Sequence, residues 1–247
     1  MKLLDLTLPS PAENLACDEA LLDWCENGEG EEVLRFWEPR EHFVVVGYAD
    51  KIANEVNVAA CEKRGIPILR RCSGGGTVLQ GPGCLNYTLV LRITDDGPLR
   101  TIGQSNQFIM ERNRAAIESL FRIFNLQPSP FNLSIGGHTD LVIDRRKFSG
   151  NSQRRRKNFL LFHGTFLLDF DLPLIGELLQ MPSKQPDYRR NRAHGEFLVN
   201  LKAPAGQLKN ALNKAWNASE ELHDFPKQET RRLAVEKYST ARWNFRL

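Results

Sequence analysis

The chain has 247 residues, 41% of them hydrophobic and 26% charged, which fits one large soluble globular domain or two small ones and excludes a disordered or fibrous chain. Its 33 basic and 30 acidic residues leave a net charge of +3, too even for a dedicated nucleic-acid binder. No apolar run approaches the roughly 18 residues of a membrane span, and Asp5 and Pro9 interrupt the N-terminus before a signal-peptide apolar region could form, so secretion and membrane integration are disfavoured.

Residues 2–8 alternate as a short strand, and Ser10-Pro11-Ala12-Glu13 has the pattern of a capping box with proline at the first helical position. The helix that follows places Leu15, Ala16, Ala20, Leu21 and Trp24 on one face and ends near Asn27-Gly28. Residues 33–37 and 43–47 read as strands, residues 54–64 as a helix stopped by Gly65, and Ile66 to Leu69 as an entry into a glycine-rich loop. Beyond that loop come a strand over 85–93, a long helix over about 101–125, and a strand-rich segment over about 131–171 with turns at Gly136-Gly137 and Asp144-Arg145. The tail reads as helices at about 173–180, 205–217 and 227–238, with a looped section between the first two. There is no internal repeat, low-complexity tract or long linker. Strands with only some intervening helices predict an α+β fold with a mixed, largely antiparallel sheet and helices on its faces.

Cys17, Cys25, Cys61, Cys72 and Cys84 are odd in number, show no C-x-x-C spacing and have no clustered histidine, so neither a disulfide framework nor a zinc site is expected. This usage points to a reducing compartment, most simply the cytoplasm.

Four segments carry chemistry. In Arg70-Arg71-Cys72-Ser73-Gly74-Gly75-Gly76-Thr77-Val78, three glycines let the backbone approach a ligand, their N–H groups can hold an anion, and the arginines add charge-assisted donors. No Gly-Lys-Ser/Thr follows, so this is not a Walker A loop, and a plain hairpin turn is the alternative. In Gly81-Pro82-Gly83-Cys84-Leu85-Asn86-Tyr87 a shaped turn leads into a strand, either structurally or as a wall of the same pocket. Leu141-Val142-Ile143 is a buried-strand run after Asp140, and period two puts Lys147 and Ser149 of the returning strand on one face, with Gly150 next. A cation held there can meet a carboxylate or phosphate; a solvated basic hairpin is the alternative, and is the reading for Arg154 to Lys157. In Phe162-His163-Gly164-Thr165-Phe166 a histidine and a glycine interrupt a strand, with a hydrogen-bonded core histidine as the default.

Taken in order, these segments resemble the lipoate–protein ligase family, within the group of lipoate ligases, octanoyltransferases and biotin ligases. Asn14-Leu15-Ala16 with Asp18-Glu19, Leu34-Arg35-Phe36-Trp37 and Val45-Val46-Gly47 add to the likeness, which spans nearly the whole chain. The resemblance implies a catalytic domain like that of biotin ligases, related to class II aminoacyl-tRNA synthetases. It further implies activation of lipoate with ATP and Mg2+ to lipoyl-adenylate, and transfer of the acyl group to a lysine of a carrier. The carrier would be a lipoyl domain of a 2-oxoacid dehydrogenase or the glycine cleavage H protein. In that reading Lys147 is the catalytic cation. Arg71, Ser73, Gly74, Gly75, Gly76, Thr77, Asn86, Asp140, Ser149, Gly150, His163, Gly164 and Thr165 bind substrate or adenylate, and Asp140 is the candidate magnesium ligand. The family's Asn-Asp pair stands here as Thr139-Asp140.

The resemblance also implies residues 1–247 as one catalytic domain without a C-terminal accessory domain, with a separate subunit as a candidate partner. An octanoyltransferase of the same fold would work through a cysteine thioester, but residues 132–140 contain no cysteine and none follows Cys84. A biotin ligase is disfavoured because its Gly-Arg-Gly-Arg-Arg-Gly loop is absent. A non-catalytic carrier-binding protein and nucleic-acid binding through residues 154–157 rank lower.

Overall fold

A computed structural model describes residues 1–124 and 132–247. Strand β1 (Lys2–Asp5) leads to helix α1 (Pro11–Glu26), β2 (Val33–Trp37) and β3 (Phe43–Val46). Short helices α2 (Ile52–Glu55) and α3 (Val58–Arg64) precede β4 (Ile68–Arg70), β5 (Val78–Gln80), β6 (Cys84–Arg92) and the long α4 (Ile102–Phe124). The strand-rich segment is β7 (Leu133–Gly136), β8 (Asp140–Ile143), β9 (Arg146–Arg155) and β10 (Phe159–Leu167). Helices α5 (Leu172–Leu178), α6 (His194–Phe197) and α7 (Ala205–Trp216), the two-residue β11 (Glu220–Glu221), α8 (Lys227–Leu233) and α9 (Ala241–Asn244) complete the chain.

Among the described residues one sheet has eight strands in the order β11-β1-β2-β6-β10-β9-β8-β7, and a second has three, β4-β3-β5. Pairing is parallel at β11–β1, β1–β2 and β3–β4 and antiparallel elsewhere, the mixed α+β architecture expected from the sequence. Cross-strand register sorts the large sheet into two faces. The rows Arg35–Thr88–His163–Ser152 and Trp37–Asn86–Thr165–Gly150 lie toward α1, and the intervening row Phe36–Tyr87–Gly164–Asn151 lies toward α4.

Helix α1 starts as predicted: the Ser10 side chain accepts from the Glu13 N–H while Glu13 reaches back to the Ser10 N–H. It is buried beyond the predicted face because the sheet lies on one side and α8 on the other. Its polar residues are therefore paired inside: Asn14 and Asp18 with Arg35, and Glu19 with Lys237 and Tyr238. The predicted helix over 54–64 is broken at Val56, which turns extended to form an isolated bridge with Leu179. The first strand stops at Asp5, short of residue 8. The turn at Asp144-Arg145 forms with both residues at positive φ (47° and 66°). The predicted end of the long helix at residue 125 lies outside the described residues.

In the basic run 154–157, Arg156 and Lys157 are exposed as expected, while Arg154 and Arg155 are half-buried. Arg154 donates to Cys72 O, Arg155 to Leu99 O and Arg156 to the Asp23 carboxylate, so three of its cations tie β9 to neighbouring segments. No described helix is long and apolar enough to cross a membrane.

Candidate active site

The sheet face toward α1 forms the floor of a cavity of about 920 Å³ whose wall includes Gly75, Gly76 and Thr77 of the bend between β4 and β5, and Lys147 of β9. That volume lies near the upper end of small-molecule sites, about 300–1,000 Å³. Asn86, Asp140, Ser149, Gly150, His163, Gly164, Thr165 and Arg71 also line it, so the segments singled out in the sequence converge on one cavity. Ser73 and Gly74 do not line it; they lie behind the bend, where Ser73 Oγ is 2.5 Å from His163 Nε2 and the Gly74 carbonyl accepts from Arg71 and Ser152. Of the second glycine segment only Asn86 and Tyr87 reach the wall. Gly83, at φ +89°, makes the turn, where a Cβ would lie 2.3 Å from Asp169 O.

Lys147 Nζ stands 2.8 Å from Asp140 Oδ1, and Tyr188 donates its hydroxyl to Asp140 Oδ2 at 2.7 Å. Gly150 makes room for this amine, since a Cβ there would lie 2.6 Å from Nζ. The simple alternation that put Lys147 and Ser149 on one face is corrected by a β-bulge. Leu141 pairs with Ser149 and Val142 with Lys147, leaving Phe148 as the extra residue. Both side chains still reach the cavity, while Phe148 enters the core on the α4 side.

The two arginines before the bend are not loose phosphate donors. Arg70 is buried and gives its donors to the carbonyls of Gly47, Asp50 and Asn244. Arg71 donates to Ser73 Oγ, Gly74 O and Gly76 O, and burial lowers its guanidinium pKa to about 10. It braces the bend by holding these oxygens. Gly47 closes the same contact from β3, where a Cβ would lie 1.9 Å from Gly75 O.

His163 is the hydrogen-bonded histidine of the default reading and also a wall residue, held through Nδ1 by Asp18 Oδ2 at 3.0 Å. Burial would push the Asp18 carboxyl up, but the Arg35 guanidinium at 2.6 Å and His163 outweigh it and hold the pKa below the usual carboxylate value. Gly164 lacks a side chain because a Cβ would lie 1.7 Å from Asn151 Oδ1, which accepts from Tyr87 OH. Asn151 in turn donates to Thr139 O, placing a carboxamide against the Thr139-Asp140 pair. Leu15, Trp37, Val45, Val78 and Leu79 line the cavity with apolar surface, and residues 182–189 wall it beside Asp140.

Sequence reasoning missed Asp18, Trp37, Asn151 and Tyr188 as site residues. Asp18 and Trp37 lay within quoted motifs, and Asn151 directly follows Gly150 in the third segment. Tyr188 lies in the looped section, which offers no periodicity.

No cysteine lines the cavity. All five thiols are buried and free, and burial pushes Cys17 up to about 11 and Cys25, Cys72 and Cys84 up to about 12. No group of three or more His, Cys, Asp or Glu side chains among the described residues could hold a metal ion by itself.

The family model for the lipoyl protein ligase A/B catalytic domain matches residues 10–220. The chain belongs to this family. Within it, the chain is 26% identical to octanoyltransferase LipM of Geobacillus kaustophilus, covering 96% of this chain and 94% of that one. It is 29% identical to lipoate-protein ligase A subunit 1 of Thermoplasma acidophilum, over 95% and 92% of the two chains. Among solved structures it resembles a T. acidophilum lipoate protein ligase with bound lipoic acid (TM-score 0.76, 25% identity, 99% and 98% coverage). It also resembles a lipoate-protein ligase A bound with ATP (TM-score 0.76, 26% identity, 99% and 98% coverage). The chain is thus an enzyme of the lipoate ligase and octanoyltransferase family.

Proposed function

We propose that the protein activates lipoate with ATP to lipoyl-adenylate and transfers the lipoyl group to a lysine of a lipoyl carrier domain. The observation that carries this reading is the pairing of a cavity-facing Lys147 with the braced glycine bend in a site without a cysteine. In the first step a carboxylate oxygen of lipoate attacks the α-phosphorus of ATP and pyrophosphate leaves. Two anions must meet, so a fixed cation and oriented N–H groups supply most of the help. Lys147 serves as that cation, and the N–H groups of Gly75 and Gly76 are the candidate backbone donors. In the second step the neutral amine of the carrier lysine attacks the acyl carbon, AMP leaves, and the amine proton passes to solvent. Lys147 stabilises the oxyanion as it develops.

Mg2+ commonly sits on substrate phosphates with one or two carboxylates. Asp140, the wall carboxylate beside Lys147, is proposed for that role, and the ion would neutralise phosphate charge when bound. Leu15, Trp37, Val45 and Val78 form the apolar surface proposed for the acyl chain. The client proposed is a lipoyl domain of a 2-oxoacid dehydrogenase or a glycine cleavage H protein, and residues 1–247 are read as one catalytic unit. A separate accessory subunit is proposed only for the activation step, on the strength of the relative named as a ligase subunit.

The likeness to LipM proteins favours a second reading, acyl transfer from octanoyl carrier protein without ATP. That route needs a thiolate, and the buried, high-pKa thiols here supply none. The test mixes protein, lipoate, ATP and Mg2+ with a lipoyl domain and follows pyrophosphate release and carrier mass. ATP-dependent mass gain is expected. Modification from octanoyl carrier protein alone would overturn the ligase reading, and transfer only from preformed lipoyl-adenylate would assign activation to a partner.

A further inference from the structure

We propose that Asp18 and His163 are positioning residues for the glycine bend, acting on it through Ser73; the proposal deepens the reading above, in which the bend faces an anionic acyl phosphate. The contacts form a directed chain. The Asp18 carboxylate is buried, with Arg35 at 2.6 Å on Oδ1 and His163 Nδ1 at 3.0 Å from Oδ2. An ionised carboxylate only accepts hydrogen bonds, so it holds an imidazole proton on Nδ1; the relay proposed uses the neutral ring, whose Nε2 then keeps its lone pair. In that form Ser73 Oγ, 2.5 Å from Nε2, donates its hydroxyl proton to the imidazole. Its lone pairs are left to accept from Arg71 Nε at 3.1 Å.

Arg71 carries the chain into the backbone of the bend. Its remaining donors hold the carbonyls of Gly74 and Gly76, and Ser152 also donates to Gly74 O at 2.8 Å. Both carbonyl oxygens are thereby already engaged by protein donors, and a bend whose oxygens are taken in this way leaves its N–H groups to an anion. The opposite imidazole tautomer would turn Nε2–H toward Ser73, making the serine accept from the histidine in competition with Arg71.

Asp18, His163 and Ser73 share the order of a nucleophile triad. Two observations separate them from one. Ser73 is 1% exposed and absent from the cavity wall, and its oxygen is already engaged by a guanidinium. The arrangement therefore shapes the bend and does not accept the acyl group.

The test uses the full chain with 15N-labelled histidine, His163 being assigned by its loss in His163→Gln. Two-bond 1H–15N spectra are expected to show protonated Nδ1 and bare Nε2. Hydrogen exchange at the Gly74, Gly75 and Gly76 amides is expected to rise about tenfold in Ser73→Ala and His163→Gln, with the amides of β6 unchanged. Affinity for a non-hydrolysable acyl-sulfamoyl-adenosine probe should weaken about tenfold in each variant and no further in the double variant. Asp18→Asn strips the buried Arg35 of its carboxylate and risks the fold, so the other two variants carry the test. A protonated Nε2, unchanged exchange at the bend, additive losses in the double variant, or an acyl ester on Ser73 in quenched reactions would each overturn the proposal. If the unaltered protein fails to bind the probe, the acyl-adenylate reading falls, while tautomer and exchange still decide the relay.

Discussion

Three neighbours define where the Lys147 amine can be: Asp140 holds it at 2.8 Å, Gly150 leaves the space above the strand, and Tyr188 holds the far oxygen of Asp140. The Tyr188 phenol is pushed well above its ordinary value by burial and by the Asp140 charge, so it stays a donor throughout the physiological range. The cysteines behave oppositely to catalytic thiols. With Cys72 and Cys84 pushed up to about 12, neither forms appreciable thiolate at pH 7. Iodoacetamide at pH 7 should leave all five cysteines unmodified in the folded protein and label all five after denaturation, read by intact mass. Rapid native labelling of Cys72 or Cys84 would contradict this and reopen the thioester route. The Asp18 carboxyl gives a second residue-scale expectation. Its folded pKa lies below its unfolded value of about 3.9, so its contribution to stability is complete above that value and is lost as pH falls through the folded pKa. Asp18→Asn should cost about 3–5 kcal/mol at pH 7 by leaving Arg35 uncompensated, and its urea midpoint should fall less steeply below pH 4. Equal acid limbs in the two proteins would refute the pairing as the cause.

At the scale of elements, the site depends on how the strand ends meet. The bend between β4 and β5 is braced by Arg71 and touched by Gly47 just past the end of β3. Gly47→Ala would drive a methyl group into Gly75 O, at 1.9 Å without adjustment. It should weaken binding of an acyl-adenylate analogue at least tenfold by calorimetry while the far-ultraviolet circular dichroism is retained; unchanged affinity would show that the bend is not shaped there. Much of this level could be read from the sequence. The Ser10 capping box, the turn at Asp144-Arg145 and the alternation that puts His163 and Thr165 on one face are local patterns, and the structure contains them. Features set by tertiary contact could not be read. The bulge at Phe148 arises from pairing with β8, the break at Val56 from its bridge to Leu179, and the burial of both faces of α1 from α8 packing over it.

Across the whole molecule, the large sheet and the bend beside it carry residues from distant parts of the sequence into a single cavity of about 920 Å³. Lys147, the glycine bend and the His163 strand were legible because each pairs a chemically distinctive residue with a strand or turn pattern. Tyr188 and the wall over 182–189 were not, because a loop that packs across the end of a cavity follows no period. Geometry adds a structural role to Arg70 and Arg71: a guanidinium in a glycine loop suits a phosphate, and here backbone carbonyls also accept from both side chains. Lys147, on β9 and held by Asp140, is the wall cation on which the proposed chemistry depends. Lipoate-dependent exchange of labelled pyrophosphate into ATP, compared between the unaltered protein and Lys147→Ala, tests this most directly. The account predicts a loss of about 10²–10³-fold with the thermal midpoint shifted by no more than a few degrees; exchange at the unaltered rate in a folded Lys147→Ala protein would contradict it.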